Sequence, residues 1–316
     1  MRQYALRRTV YLPLIAFAVS AITFFTLRLP FAQDPVALHS TQSTTVEQAA
    51  AIRHDFGLDK PIAEQYVQWL GDVATGHLGV TFNGRQSVAA QIKARIPVTL
   101  EIIVLSVFFG TVFGVTFGVV SAVKQNSWVD YISRTFAVFG QSIPEFFLLI
   151  LLIVLPSIWW NYSAPVGGQV SLLGNPTENL RLYIPPTLVL GIGGAAALMR
   201  ITRSTLLEVF RQDYIRTARA KGLKGRSVVL THAMRNSLIP IVTVVGGHIT
   251  ALFFGSVILE QIFSINGLGQ FFFYSVSTAD FPVVEFLVLY TSLIVIVLNL
   301  TVDLSYAFID PRVKYT

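Results

Sequence analysis

The sequence predicts an all-α integral membrane protein with six transmembrane helices and a helical extracytoplasmic loop after the first of them. Three observations lead to this fold class. Hydrophobic residues make up 53% of the 316 residues and charged residues only 13%, about half the share that is usual in soluble domains. Six apolar stretches approach or exceed the roughly 20 residues that a helix needs to cross a bilayer. The basic residues are concentrated on one side of these stretches.

The six apolar stretches follow one another along the whole chain. Four of them contain no Asp, Glu, Lys or Arg, the third contains only Glu145, and the last continues beyond its uncharged part through Asp303. We expect the first to be a retained span and not a secretory signal peptide, because it is long for such a signal and no clear cleavage site follows it. The predicted spans are Thr9–Leu27, Ile102–Val123, Thr135–Trp160, Leu182–Met199, Asn236–Leu259 and Phe286–Val302.

The distribution of positive charge predicts the orientation of the chain. With an even number of spans, both termini lie on one side of the membrane. Most of the 23 Lys and Arg residues fall on that side, and the densest group lies between Arg200 and Arg235. Such an excess is typical of cytoplasmic loops. We therefore expect both termini in the cytoplasm, and we attribute the net charge of +6 to membrane topology and not to binding of nucleic acid.

The spans divide the chain into three regions. Residues 1–29 hold the N-terminal tail and the first span, residues 30–97 form the extracytoplasmic loop, and residues 98–316 form a five-span core. Within that core, residues 203–236 make a cytoplasmic loop.

The extracytoplasmic loop is too long to be a structureless connection, so we expect helices within it. The stretch from Thr44 to Glu47 has the spacing of a capping box, and Gly57 is a suitable end for the helix that follows. Pro61 can open a second helix, and Ser87 can begin a third that stops at Pro97.

Small residues at intervals of four predict faces where helices pack closely, either within this subunit or against another one. They are Gly110, Gly114 and Gly118 in the second span, Gly191 and Ala195 in the fourth, and Gly247, Ala251 and Gly255 in the fifth.

Polar residues at membrane depth are candidates for lining a path through the membrane, because a carboxylate there costs about 2.5–3.5 kcal/mol unless it faces a cavity or a partner. Glu145 lies near the centre of its predicted span. Asn299, Asp303 and Tyr306 share one face of the last span. That group can line a path or form a structural cluster of hydrogen bonds, and the sequence leaves both possibilities open.

Several kinds of chemistry find no support in the sequence. The absence of cysteine excludes disulfides and thiolate nucleophiles. The stretch "KGLKGR" lacks the spacing of a phosphate-binding P-loop, so we expect no nucleotide hydrolysis by this chain. The five histidines are scattered, which favours structural roles over a metal site. We expect a protein that is not itself an enzyme.

The cytoplasmic loop contains a short predicted helix, "YIRTARAK". Asp213 can cap its start and Gly222 can end it. At about two turns the helix is too short to be stable alone. Thr217, Ala218 and Ala220 keep it slim, and we expect it to bury little within the chain. These features favour a helix that inserts into a groove on another protein.

At this point the sequence resembles a known family. "DYIRTARAKGL…HAMRNSLIP" is similar to the cytoplasmic coupling loop of ABC-importer permeases in the dipeptide, oligopeptide and nickel branch. Gly222 matches the glycine of the permease signature, while Arg216 stands where the general signature has glutamate. "FGLDKPIAEQYVQWLGDVATGHLGVTF", "QSIPEFF" and "VILEQIFSINGLGQ" resemble further family blocks, and Glu145 departs from the family pattern.

The resemblance implies a permease subunit, with the type I ABC-importer fold, of an ATP-driven importer of di- or oligopeptides that depends on a binding protein. Its partners are a second homologous permease, two cytosolic ATPases, an extracytoplasmic binding protein and membrane lipid. ATP and Mg are used by the ATPases, and this chain binds no cofactor of its own. An ion-driven carrier that works alone is the alternative, for which Glu145 and Asp303 are the motivation. The residues that the resemblance assigns to ATPase coupling are Asp213, Tyr214, Arg216, Thr217, Ala218, Arg219, Ala220, Lys221 and Gly222.

Overall fold

The structure is a computed structural model that describes residues 2–29, 34, 36–37, 45–82 and 84–309. The regular structure of these residues is helical. Their β-pairing is limited to two isolated bridges, between Val80 and Ser87 and between Gly168 and Ile265. The predicted all-α class is therefore confirmed for the described part of the chain.

The described residues form eleven helices, which are numbered in chain order. A helical turn, Gly225–Ser227, and a π-helix, Val228–Ala233, lead directly into the ninth of them. The helices are α1 Arg2–Leu27, α2 Val46–Asp55, α3 Ile62–Thr75, α4 Val88–Val123, α5 Trp128–Ser142, α6 Glu145–Trp160, α7 Pro176–Val209, α8 Asp213–Ala220, α9 Met234–Ile262, α10 Leu268–Ser277 and α11 Phe281–Ile309.

Four helical stretches are long and apolar enough to cross a membrane: Val88–Val123, Pro176–Val209, Gly225–Ile262 and Phe281–Tyr306. The bent pair α5 and α6 adds a fifth if the two helices together make one crossing. The apolar part of α1, Tyr11–Leu27, is a shorter helix. The structure thus has four or five candidate spans among its described residues, and the count of six stays a prediction.

The third predicted span is not one continuous helix, and Glu145 lies directly after the break. Its position near the centre of a membrane crossing stays a prediction. The chain turns by 98° between α5 and α6. Ile143 is extended, with φ −91° and ψ 124°, because the ring of the following Pro144 disfavours helical backbone. Glu145 is consequently the first residue of α6.

The helix that begins after Ser87 does not stop at Pro97, as the sequence had suggested. It continues without a break from Val88 to Val123. A proline removes one backbone donor, and long membrane helices tolerate that loss where neighbouring elements compensate for it.

The outer loop is helical where it is described. Thr45 caps α2 and forms a capping box with Gln48, one residue later than the spacing from Thr44 indicated, and Thr44 itself lies outside the described residues. Gly57 adopts φ +64° after the end of α2, as expected. Pro61 is the residue immediately before α3.

Backbone contacts divide the chain into two compact units. One comprises Leu100–Ile265 and residues 298–309. Within this unit α7 is the central helix and packs against α5, α6 and α9. We call this compact unit the α7 unit.

The other unit comprises Arg2–Thr99 and Asn266–Val297. In it, Arg28 at the end of α1 forms an ion pair with the buried Glu285 of α11. The Arg28 guanidinium also donates to Gln65 Oε1 of α3, at 2.9 Å. These contacts tie the first helix, the outer loop and the last helix together.

Candidate functional site

The short cytoplasmic-loop helix predicted from the sequence is α8. Its N-cap is Gln212, which has extended backbone and makes no side-chain capping bond. Asp213 is therefore the first helical residue and not the cap. Its carboxylate lies at the positive end of the helix and pairs with Arg216 at 3.4 Å. An acidic residue in the first turn stabilises a helix through the macrodipole even where it does not cap it.

Gly222 ends α8 as predicted. Its φ is +77°, in the left-handed region where glycine carries no Cβ penalty. The Gly222 N–H donates to the Arg219 carbonyl at 2.9 Å, and the Leu223 N–H donates to the Ala218 carbonyl at 3.3 Å. This pair of bonds is a Schellman motif, which closes the helix and satisfies its last carbonyls.

The expectation that α8 buries little within the chain is wrong. Ile215 is 0% exposed and Ala218 is 7% exposed. Both belong to one apolar cluster, in which α8 meets the ends of α4 and α7 and the π-helix. The other buried members of the cluster are Ala122, Leu206, Val209, Val228 and Ala233. The small side chain of Ala218 thus serves packing inside this subunit.

The opposite side of α8 is free of such contacts and carries most of the residues assigned to coupling. The hydroxyl of Tyr214 accepts a hydrogen bond from Asn236 Nδ2 at 2.7 Å, which fixes the ring on the surface. The exposed residues are Asp213, Tyr214, Arg216, Thr217, Arg219, Ala220, Lys221 and Gly222. We call this set the outer face of α8.

The elements on either side of α8 differ in regularity. Before it, α7 runs unbroken from Pro176 to Val209. After it, the six-residue π-helix Val228–Ala233 precedes α9. π-helical turns are rare and occur mainly at functional positions. No pattern in the sequence predicts this π-helix.

The predicted path residues lie at different places. Glu145 is half-buried in the first turn of α6, and its carboxylate approaches Gly193 of α7 and Gly255 of α9. On α11, Asn299 is exposed and Asp303 is partly buried. Tyr306, one turn further, donates from its hydroxyl to Thr243 Oγ1 of α9 at 2.9 Å. The structure leaves the role of these residues as a prediction.

Two of the predicted small-residue faces meet each other. A Cβ added to Gly114 would lie 2.7 Å from both the Ala195 carbonyl oxygen and Leu198 Cβ. One added to Gly118 would lie 2.7 Å from Thr202 Cβ, and one added to Gly110 would lie 3.1 Å from the Gly191 carbonyl oxygen. α4 and α7 are therefore in backbone contact along three turns, which only glycine on α4 allows.

The third small-residue face has a different setting. A Cβ added to Gly247 would meet nothing within 4 Å, and Ala251 is exposed. Only Gly255, at the far end, approaches Leu190 of α7. Within the described residues this face of α9 is open over its first two positions.

Sequence reasoning missed a buried ion pair near α8. Asp130 of α5 is 0% exposed, and Arg203 of α7 holds its two carboxylate oxygens at 2.7 and 2.8 Å. Ser121 Oγ and the Asn126 N–H also donate to Asp130, at 2.6 and 2.9 Å. The cluster joins the end of α4, the start of α5 and the lower part of α7. No local pattern identifies it, because its two charges lie 73 residues apart.

The fold is similar to that of a chain from a known ABC transporter. A chain of the MetNI methionine ABC transporter, solved in an inward facing conformation, superposes with a TM-score of 0.55 over 70% of this chain and 97% of that one, at 20% sequence identity. A second crystal form of the same transporter gives a TM-score of 0.53. At this identity the likeness concerns the fold alone.

The sequence comparisons name the family. Residues 114–315 match the family described as binding-protein-dependent transport system inner membrane component, and residues 1–103 match its N-terminal family. A putative peptide transport system permease protein of Brucella abortus (strain 2308) is 36% identical over 315 residues, which cover 100% of both chains. The dipeptide transport system permease protein DppB of Escherichia coli (strain K12) is 35% identical and covers 100% of this chain and 99% of its own. The chain belongs to the binding-protein-dependent transport system inner membrane components.

Proposed function

We propose that this chain is one transmembrane subunit of an ATP-driven importer of peptides, and that it passes motion from a cytosolic ATPase to a path through the membrane. The observation that carries the proposal is that α8 has one buried side and one exposed side. One side is docked in the apolar cluster at the ends of α4 and α7, and the other side is exposed. The full-length relatives named for peptide and dipeptide transport support peptides as the substrate class.

The geometry suggests how force is transmitted. An ATPase bound to the outer face of α8 would displace α8 together with the end of α7. The two helices move together because Ile215 and Ala218 pack in one apolar cluster with Leu206 and Val209 of α7. α7 is continuous from Val209 back to Pro176, so a push at its cytoplasmic end moves the whole span. The buried pair of Asp130 and Arg203 joins α5 to the same segment, so α5 would follow α7. Rigid-body movement of this kind is a recurring means of alternating access.

The chain would assemble with a second homologous permease, two cytosolic ATPases and an extracytoplasmic binding protein. In this arrangement ATP and Mg belong to the ATPases. Six spans put both termini in the cytoplasm, as the excess of basic residues between Arg200 and Arg235 indicates. The open part of the α9 face, at Gly247 and Ala251, suits close approach of a second permease helix.

Glu145 is the best candidate for contact with the substrate. No ion pair to it is found among the described residues, although it is half-buried between α6, α7 and α9. An intramembrane carboxylate favours a nearby cation, and the ammonium group of a peptide is one. The same carboxylate, with Asp303, would serve an ion-driven carrier. The membership in a binding-protein-dependent family makes that alternative the weaker one.

The test is reconstitution in liposomes with the partner subunits and a dipeptide as substrate. Uptake should require the ATPases, the binding protein and ATP. Uptake by this chain alone, driven by a proton or sodium gradient, would reject the proposal in favour of the carrier. Glu145→Gln should weaken uptake of the dipeptide while ATP hydrolysis continues. Asp72→Asn, the same carboxylate-to-amide change at an exposed position of α3, is the control and should leave uptake unchanged.

A further inference from the structure

A cavity of about 560 Å³ opens between α5 and α7, within the α7 unit. Three arginines line it together with polar and small apolar side chains. Its lining is Arg134, Ala137, Val138, Gln141, Ser142, Met199, Arg200, Arg203 and Ser204. No carboxylate is part of that lining, so the cavity is strongly positive.

Only one of the three guanidinium groups is neutralised. Arg203 is bound to both oxygens of the buried Asp130. Arg134 lies 5.0 Å from the Tyr131 ring centre, and neither Arg134 nor Arg200 has an ion pair among the described residues. Both are exposed. Two uncompensated cations therefore face the same cavity, with the hydroxyls of Ser142 and Ser204 and the amide of Gln141 beside them.

The spans predicted from the sequence put these arginines at the depth of lipid head groups. Arg134 immediately precedes the apolar run that begins at Thr135, and Arg200 immediately follows the run that ends at Met199. The wall between them is apolar, formed by Ala137, Val138 and Met199. Basic pockets between membrane helices are suited to anionic lipid head groups.

The apolar wall is open on the α5 side. Val138, which lines the cavity, is 65% exposed, and Tyr131, two turns before it on the same face of α5, is 48% exposed. An amphiphile with an anionic group in the cavity would find a surface for its acyl chain next to it. A small hydrophilic anion would make no use of that surface.

We propose that this cavity binds the phosphate group of an anionic phospholipid, with Arg134 and Arg200 as its charged ligands. Arginine forms paired, charge-assisted hydrogen bonds with phosphate oxygens. The side-chain amide of Gln141 can donate a further hydrogen bond, whereas the hydroxyls of Ser142 and Ser204 donate to the carbonyls of Val138 and Ile201 in their own helices. The acyl chain lies against α5. Because α5 and α7 both contribute arginines, a bound lipid would hold together the two helices that Asp130 and Arg203 already join. The proposal does not depend on which substrate the protein transports.

The test compares lipids bound to the purified full chain by native mass spectrometry in detergent micelles. Phosphatidylglycerol and phosphatidylcholine are supplied in equal amounts, and inorganic phosphate is added in a separate titration. The wild-type chain should retain phosphatidylglycerol in preference to phosphatidylcholine. Arg134→Gln combined with Arg200→Gln should weaken that retention about a hundredfold, since two charge-assisted contacts are lost and each accounts for about a factor of ten.

The matched control removes two other positive charges, which lie in the cytoplasmic loop. Lys224→Gln combined with Arg226→Gln, both exposed positions outside the cavity, should retain phosphatidylglycerol as the wild type does. An equal loss of phosphatidylglycerol retention in this control would mean that the net positive charge of the chain, and not this cavity, holds the lipid. That result would overturn the proposed site. Equal retention of both lipids by the wild type, or release of phosphatidylglycerol by millimolar inorganic phosphate, would overturn the lipid as the ligand. Circular dichroism checks that both double variants keep their helix content.

Discussion

At the scale of single residues, Gly222 shows most directly how a backbone requirement supports the proposed function. Its φ of +77° lies where L-residues are disfavoured by about 1–2 kcal/mol, while a Cβ there would meet nothing within 4 Å. We therefore expect Gly222→Ala to loosen the last turn of α8 through backbone strain alone. Hydrogen exchange of the α8 amides in the full chain should become about tenfold faster, since about 1.4 kcal/mol corresponds to a factor of ten.

Gly222→Asn is the matched control for that change. Asparagine tolerates the left-handed region better than alanine, so its amides should exchange at a rate nearer to that of the wild type. Equal acceleration by both residues would mean that side-chain bulk, and not the backbone, is responsible. Unchanged exchange in both would contradict the role given to the Schellman motif.

The same residues show what the sequence can and cannot predict. The role of Gly222 at the end of α8 was predictable, because a few adjacent residues determine where a helix ends. The burial of Ile215 and Ala218 was not, because it depends on Leu206, Val209 and the π-helix, which meet α8 only in the folded chain. The pair of Asp130 and Arg203 escaped prediction for the same reason. Patterns within one helix are readable from sequence, whereas contacts between helices require the fold.

At the scale of elements, the contact of α4 with α7 contrasts with the open face of α9. Both faces carry small residues at intervals of four, so the sequence predicts close packing for both without saying against what. Gly114→Ala should destabilise the isolated subunit by about 1–3 kcal/mol, because the new methyl group overlaps the Ala195 carbonyl. Gly247→Ala should not lower its stability and should raise it by up to about 1 kcal/mol, since the site is open and alanine favours a helix interior over glycine. Thermal unfolding of the two purified variants measures the difference.

The difference between the α4–α7 contact and the open face of α9 can also be tested in the assembled protein. If the open face of α9 receives a second permease, a larger change such as Gly247→Leu should reduce co-purification of that partner while the single chain remains folded. A Gly247→Leu chain that keeps its partner would reject this use of the face. A Gly114→Ala chain as stable as the wild type would instead show that α4 and α7 can separate at little cost.

At the scale of the whole molecule, the proposed transmission requires that α8 do two separable things, namely bind an ATPase and hold on to α7. Substitutions on the two sides of α8 should therefore impair different steps of transport. Arg219→Ala, on the outer face, should weaken association with the ATPases and leave the fold intact. Ile215→Ala, on the docked side, removes a side chain that is 0% exposed and should cost about 2–5 kcal/mol of local packing.

The Ile215→Ala complex should consequently still assemble and hydrolyse ATP, but import less peptide for each ATP consumed, because the motion of α8 no longer reaches α7. The measurement is the ratio of dipeptide uptake to ATP hydrolysis in liposomes, with pull-down of the ATPases as the control for assembly. A parallel fall of uptake and hydrolysis in both variants would mean that α8 acts only as an attachment point. A normal ratio for Ile215→Ala would show that motion reaches the spans by a route other than the apolar cluster.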